Sequence, residues 1–234
     1  LVGIVDTGLV GNLGQTKFLA ATSIATSVMT MIIWSFGFLR MGTVGLVAQS
    51  YGRRDYREIV RTILRNLFLS FFVAFIIILL KPIIILSINY FFLTSIETQK
   101  LIDTYISIRI FSIPAEFIIY ILVGFYLGIQ KTNISSLLII TLSTLNILFS
   151  SFFVLSMNLK VLGVALGTLV ASLITVIIFL TFTYSYIIKK FQIIPKFEKL
   201  FDTKKILKLF NINLDIFIRT LFLTFSFLWI TFLG

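Results

Sequence analysis

VLGVALGTLVASLITVIIFLTFTYSYII, residues 161–188, runs for 28 residues without a charged side chain. A helix rises about 1.5 Å per residue, and about 20 apolar residues cross the hydrocarbon core of a bilayer. This stretch is long enough to cross with some tilt. Two further stretches share its character: residues 18–39, 22 residues long, and residues 132–159, 28 residues long, are also free of charge. Strands of a membrane barrel are only about ten residues long and alternate apolar with polar side chains, a pattern absent here. A backbone in lipid must satisfy its own hydrogen bonds, so the fold class is an all-α polytopic membrane protein.

The composition agrees. Hydrophobic residues make up 59% of the 234, mean hydropathy is +1.09, and only 12% are charged, about half the share usual in a soluble domain. There is no cysteine, so disulfides and thiolate metal sites are excluded. There is no histidine either, which removes the commonest general base and zinc ligand and excludes a His-Glu-x-x-His metalloprotease.

The chain divides into a short first apolar segment and six longer spans. Residues 1–11 are too short to cross and lack both an initiator Met and the basic start of a signal peptide, so they read as the second half of a first helix. The second span starts near Phe18 and reaches the mid-forties. The third covers about 66–89, interrupted at Lys81-Pro82. The fourth covers about 105–128, the fifth about 134–155, and the sixth about 161–188. A basic linker over 189–213 precedes a seventh helix from Leu214.

The net charge of +11 is distributed unevenly. Connections after the second, fourth and sixth spans carry Arg53, Arg54, Arg57, Arg61, Arg65, Lys131, Lys189, Lys190, Lys196, Lys199, Lys204, Lys205 and Lys208, which is 13 of the 20 basic residues. Connections after the first, third and fifth hold only Lys17, Lys100 and Lys160. The positive-inside rule places the first set in the cytoplasm. The charge is thus a topology signal, with contact to anionic lipids, rather than a nucleic-acid footprint.

That orientation aligns a set of polar residues. Asp6 falls about 10 Å below the outer edge of the first helix at ~1.5 Å per residue. Asn146 and Ser150, four residues apart on one face of the fifth span, and Thr168 on the sixth fall at similar depth in the outer half. A carboxylate in lipid costs about 2.5 kcal/mol or more, so it faces a cavity, a partner or an ion. Asn and Thr alone also serve as glue between helices. Glu116, near mid-membrane in the fourth span, has no adjacent Lys or Arg in sequence; Arg109 lies seven residues back on the same face. Burial favours the protonated carboxyl there. Arg40 and Lys81 read as snorkelling cations.

These residues sit in a frame of ordered motifs: GIVDTGLVGNLG at 3–14, IIWSFGFLRMGTVGLVAQSYGRRD at 32–55, RIFSIPAEF at 109–117, GFYLGIQKTN at 124–133, LNILFSSFFV at 145–154, LGVALGTLVAS at 162–172 and NINLDIFIRTL at 211–221. The set resembles the multidrug and toxic compound extrusion family, in its bacterial DinF-like branch, over essentially the whole chain. The resemblance implies a fragment of a twelve-helix transporter: residues 1–188 as a first six-helix lobe, 189–213 as the cytoplasmic linker, and 214–234 as the start of the second lobe. It implies a multi-pass protein of the bacterial inner membrane, a monomer and not an enzyme, that exports organic cations or other drugs in exchange for H+ or Na+ without a resident cofactor. It also implies cation coupling at Asp6, Asn146 and Thr168, with Na+ bound there transiently. Ser150 stands where the branch carries a second acid, and Glu116 is the candidate to supply it. Met29, Trp34 and Phe36 are the expected apolar wall of the substrate cavity. The alternatives are a flippase for lipid-linked sugars, favoured by a cavity rich in Arg and Lys, and a membrane anchor without transport.

Overall fold

The computed structural model describes residues 8–11, 16–92, 95–193, 207, 209–211, 213–219 and 222. Eight α-helices are labelled here: α1 (Thr16–Ser35), α2 (Phe38–Gly52), α3 (Tyr56–Leu79), α4 (Lys81–Phe91), α5 (Ile96–Arg109), α6 (Ile113–Gly128), α7 (Thr132–Ser151) and α8 (Lys160–Tyr186). All but α4, a shorter apolar helix, fall within five segments long and apolar enough to cross a membrane: Thr16–Gly52, Tyr56–Leu79, Ile96–Gly128, Thr132–Ser156 and Lys160–Phe191. These are the second to sixth spans read from the sequence. No strand occurs among the described residues.

Three boundaries differ from the expected ones, each for a local reason. The second span is broken at Phe36-Gly37, where the amides of Phe36 and Gly37 bond three residues back to the carbonyls of Ile33 and Trp34 and tighten the helix. The third begins ten residues early. Asp55 caps α3, its side chain accepting from the Glu58 amide at 3.0 Å, and Glu58 then accepts from Arg65 at 2.8 Å. A cap followed three residues later by Glu is a helix-start signal, and here it outweighs the cluster of charges that reads as a loop. The fourth span starts at Ile96 rather than near 105, because Ser95 caps α5 by accepting from the Thr98 amide. That span is jointed by a 3₁₀ turn at Ile110–Ser112. Pro114 then falls in the first turn of α6, where its missing N–H breaks no bond. The break at Lys81-Pro82 matches the sequence reading.

The connections segregate into two ends. Lys17 bonds Glu97 at 2.8 Å, and the Lys160 ammonium lies 5.1 Å from the Phe18 ring centroid, so the sparsely charged ends of the second, fourth and sixth spans meet. Tyr56 stacks on Phe191 at 4.6 Å, joining the basic ends that follow the second and sixth spans.

Lipid tails are as apolar as leucine, so helices in a bilayer associate through close packing and buried polar bonds rather than through hydrophobic collapse. Glycines one turn apart provide the close approach twice. On α6, a Cβ at Gly124 would lie 2.7 Å from the Arg40 carbonyl, and one at Gly128 would lie 2.7 Å from the Val47 side chain, so α6 rides directly on α2. On α8, a Cβ at Gly163 would lie 3.0 Å from the Phe153 backbone, and one at Gly167 would lie 2.6 Å from the Ser150 backbone, so α8 rides on α7. Tyr126 and Thr183 share a buried hydroxyl bond of 2.7 Å between α6 and α8, and Thr26 bonds Tyr105 at 3.1 Å between α1 and α5. The expected seventh helix appears as helical residues 213–219, with Asn213 seated on Gly42 and Phe217 packed on Phe38 at 5.6 Å. Most of the expected linker and the rest of that helix lie outside the described residues.

Gly167→Val places its side chain against the backbone of α7. It should destabilise the protein by about 1–3 kcal/mol, the usual range for overpacking. Gly45→Ala, with no atom within 4 Å of the added carbon, should keep or raise stability, by up to about 1 kcal/mol from helix propensity. Thermal unfolding of both variants in detergent checks the contrast.

Candidate functional site

The α7–α8 seam carries the buried polar cluster. Asn146 and Ser150 face α8 one turn apart and are both 0% exposed; Thr168 follows Gly167 on α8 and is 5% exposed. The Asn146 amide donates to Thr168 Oγ1 at 2.8 Å, and Thr168 Oγ1 donates to the Val164 carbonyl at 3.1 Å. The glycine at 167 makes this possible, since any side chain there would hold the two helices apart. Asn146 Oδ1 and Ser150 Oγ are buried without a hydrogen-bond partner among the described residues. An unsatisfied buried polar group costs roughly 1–3 kcal/mol, and two such oxygens lie one turn apart on this face of α7.

Three of the residues singled out in the sequence, Asn146, Ser150 and Thr168, are therefore brought together. Asp6 lies outside the described residues. The nearest described residues on its side, Gly8 to Gly11, are helical, and Val10 belongs to the main core cluster.

Glu116 is corrected. Sequence distance suggested a carboxylate without a cation, but the Arg109 guanidinium contacts it directly, and Ser112 Oγ lies 3.1 Å from the same carboxylate oxygen. Seven residues are two turns, so the side chains share a face; the Glu side chain leans toward its helix N-terminus and a long Arg covers the remaining rise. Both are only partly open, at 11% and 14% side-chain exposure. Because the fourth span begins at Ile96, Arg109 sits well inside it rather than near its edge. Arg40, read as a snorkelling cation, lies over the Tyr120 ring at 5.9 Å from the centroid.

The expected apolar wall is not a single surface. Met29 is 1% exposed inside the core, while Trp34 is 73% exposed on the outside of α1. Five residues of helix turn them about 140° apart. Phe36, at the helix break, faces neither way and packs on Phe117 at 5.1 Å and Phe38 at 5.6 Å. The cavities near this region are modest. One of about 130 Å³ lies between Phe36, Phe38, Leu69, Val73 and the helical residues around Asn213. Another, of about 180 Å³, lies at the basic end beside Arg53, Asp55, Glu58 and Arg65.

The described residues form a helical membrane bundle with a buried polar cluster between two of its spans. The chain belongs to the MatE family, whose profile matches residues 1–152. It is 30% identical over its whole length to DNA damage-inducible protein F of Escherichia coli strain K12, covering 51% of that protein. It is 21% identical over 94% of its length to multidrug export protein MepA of Staphylococcus saprophyticus, covering 49% of it. Among solved structures, that of MATE in the bent conformation superposes with a TM-score of 0.86 at 20% identity, over 97% of this chain and 50% of that one. The chain thus spans about half the length of the relatives it matches.

Replacing Thr168 by Val leaves the Asn146 amide without its acceptor. A loss of about 1–3 kcal/mol is expected for Thr168→Val alone. Adding Asn146→Leu should cost clearly less than the sum of the two single changes, since both partners are then apolar. A double-mutant cycle on unfolding in detergent reads this coupling directly.

Proposed function

We propose that the protein works in secondary active efflux, exporting amphipathic drugs and organic cations against an inward flow of H+ or Na+. The observation that carries the reading is the pair of unpartnered oxygens, Asn146 Oδ1 and Ser150 Oγ, held beside Thr168 Oγ1 at the α7–α8 seam. Hard cations are bound by clustered oxygens, and coupling sites of transporters lie within the membrane where such groups are shielded from lipid. Asp6, which the loop orientation sets at the same depth, supplies the negative charge. Asn146, Ser150 and Thr168 supply neutral oxygens, and Na+ or H+ is the transient occupant.

Antiport follows when one carboxylate cannot serve two cations at once. Ion-bound or protonated, Asp6 is neutral and the first helix packs against the seam. Ionised, it favours the cationic substrate. Each ligand shifts the balance of conformations only by its difference in affinity between them. The rocking of two lobes about the site alternates access between the cytoplasm, on the basic side, and the exterior. The family membership supports transport over an anchoring role, and two relatives at half coverage support a whole protein with a second lobe. The Arg109–Glu116 pair makes Glu116 a counter-ion to arginine rather than the replacement for the acid absent at Ser150.

Export of a fluorescent cation from an efflux-deficient host tests the reading. Asp6→Asn should abolish the dependence of export on Na+ or pH and reduce export at least tenfold. Unchanged, ion-coupled export by Asp6→Asn would contradict it.

A further inference from the structure

α6 is enclosed by its neighbours along almost its whole surface. Of its sixteen residues only Pro114, Glu116, Tyr120 and Leu127 are not buried. Glu116, Tyr120 and Leu127 fall within about 40° of one another around the helix, with Pro114 opposite them in its first turn, so this most fully wrapped helix opens along one main stripe that carries a carboxylate and a phenol. Arg109 joins it from the turn above through Glu116, and Arg40 joins it from α2 over Tyr120. Charged groups within a span do not open onto lipid; they face a water-filled cavity or protein. The stripe therefore belongs to a polar wall, and its charge is unbalanced. Glu116 matches one guanidinium, and no carboxylate lies within ion-pair distance of Arg40 among the described residues.

We propose that Arg40 and Arg109, with Tyr120 between them, form a binding site for an acidic group of an amphiphilic substrate, a carboxylate, sulfonate or phosphate. The inference rests on the transport reading and extends its substrate class, which the Asp6 chemistry alone would confine to cations. Arg40 supplies the excess charge and the Tyr120 hydroxyl a donor. Glu116 is the resident anion that holds Arg109 until the substrate competes for it. Guanidinium groups suit this because they present several donors in one plane and are less strongly hydrated than an ammonium. Substrates carrying both charges would meet Asp6 with the cation and this pair with the anion.

The test measures binding to the protein in lipid nanodiscs by fluorescence polarisation, with two probes: 11-dansylaminoundecanoate as the anion and rhodamine 6G as the cation. Arg40→Gln should lower the carboxylate-to-cation affinity ratio about tenfold, the size of one lost charge-assisted hydrogen bond. Glu116→Gln should raise carboxylate affinity by releasing Arg109. The double variant Arg109→Gln/Glu116→Gln avoids a stranded buried charge and should lower it. Arg57→Gln, an equal change of charge at the exposed start of α3, should leave the ratio as it is. Repeating the titration in phosphatidylglycerol and in phosphatidylcholine nanodiscs separates the sources: competition by phosphatidylglycerol makes a lipid phosphate the occupant, and its absence a free anion. Carboxylate binding that ignores Arg40, Arg109 and Glu116, or rhodamine 6G binding with no carboxylate binding in any variant, overturns the proposal while leaving cation transport intact. Failure of both probes overturns the transport reading itself.

Discussion

Hydrocarbon offers no hydrogen-bond partner, and every feature of this chain answers to that. The backbone folds as helices because only intrasegment bonds survive in lipid. The helices cannot be driven together by burying apolar surface, so they meet where glycines admit backbone to backbone. The seam of α8 on α7 at Gly163 and Gly167 is the consequential one. It brings Asn146, Ser150 and Thr168 within reach of one another and seals them from lipid. Close packing and the polar site are thus one device. The same glycines that bring the helices into contact hold Asn146 Oδ1 and Ser150 Oγ where no partner among the described residues reaches them.

The span count and fold class were legible in the sequence because length and hydropathy decide them. The Asn146–Thr168 contact was legible too, through an indirect route: the distribution of Arg and Lys gave the direction of each span, and direction gave a common depth. Less was visible where local signals compete. The start of α3 was hidden by its arginines, although Asp55 and Glu58 spell a capped helix start. The joint at Ile110–Ser112 and the break at Phe36-Gly37 depend on tertiary packing, which no short motif announces. Glu116 was misjudged because side-chain reach across two helical turns was discounted; the span boundary, drawn nine residues too late, also kept Arg109 near the edge. Met29, Trp34 and Phe36 show the limit of residue type as a guide. Their composition suits a cavity wall, but helical phase sends them to three different surroundings.

In the proposed reading, two polar features divide the labour among the described residues. The α7–α8 seam has oxygens and no charge of its own, so it suits a small ion shared with Asp6. The α6 stripe has charges but an excess of cations, so it suits an anion. Placing opposite electrostatic preferences at separate positions in one lobe lets a transporter bind an ion and a substrate without direct competition, or handle a substrate that bears both charges. Family membership fixes neither preference; they come from the buried oxygens and from the guanidinium groups.

The central claim is that the seam oxygens hold the coupling cation. The most direct measurement is the shift in unfolding temperature on titrating Na+ at two pH values, since a ligand that binds only the folded state stabilises it by RT ln(1 + [L]/Kd). The wild-type protein should be stabilised by Na+ or by added protons, and Asn146→Leu/Thr168→Val, which keeps the seam packed while removing two of its three side-chain oxygens, should lose most of that response. A response of undiminished size in the double variant would contradict the account.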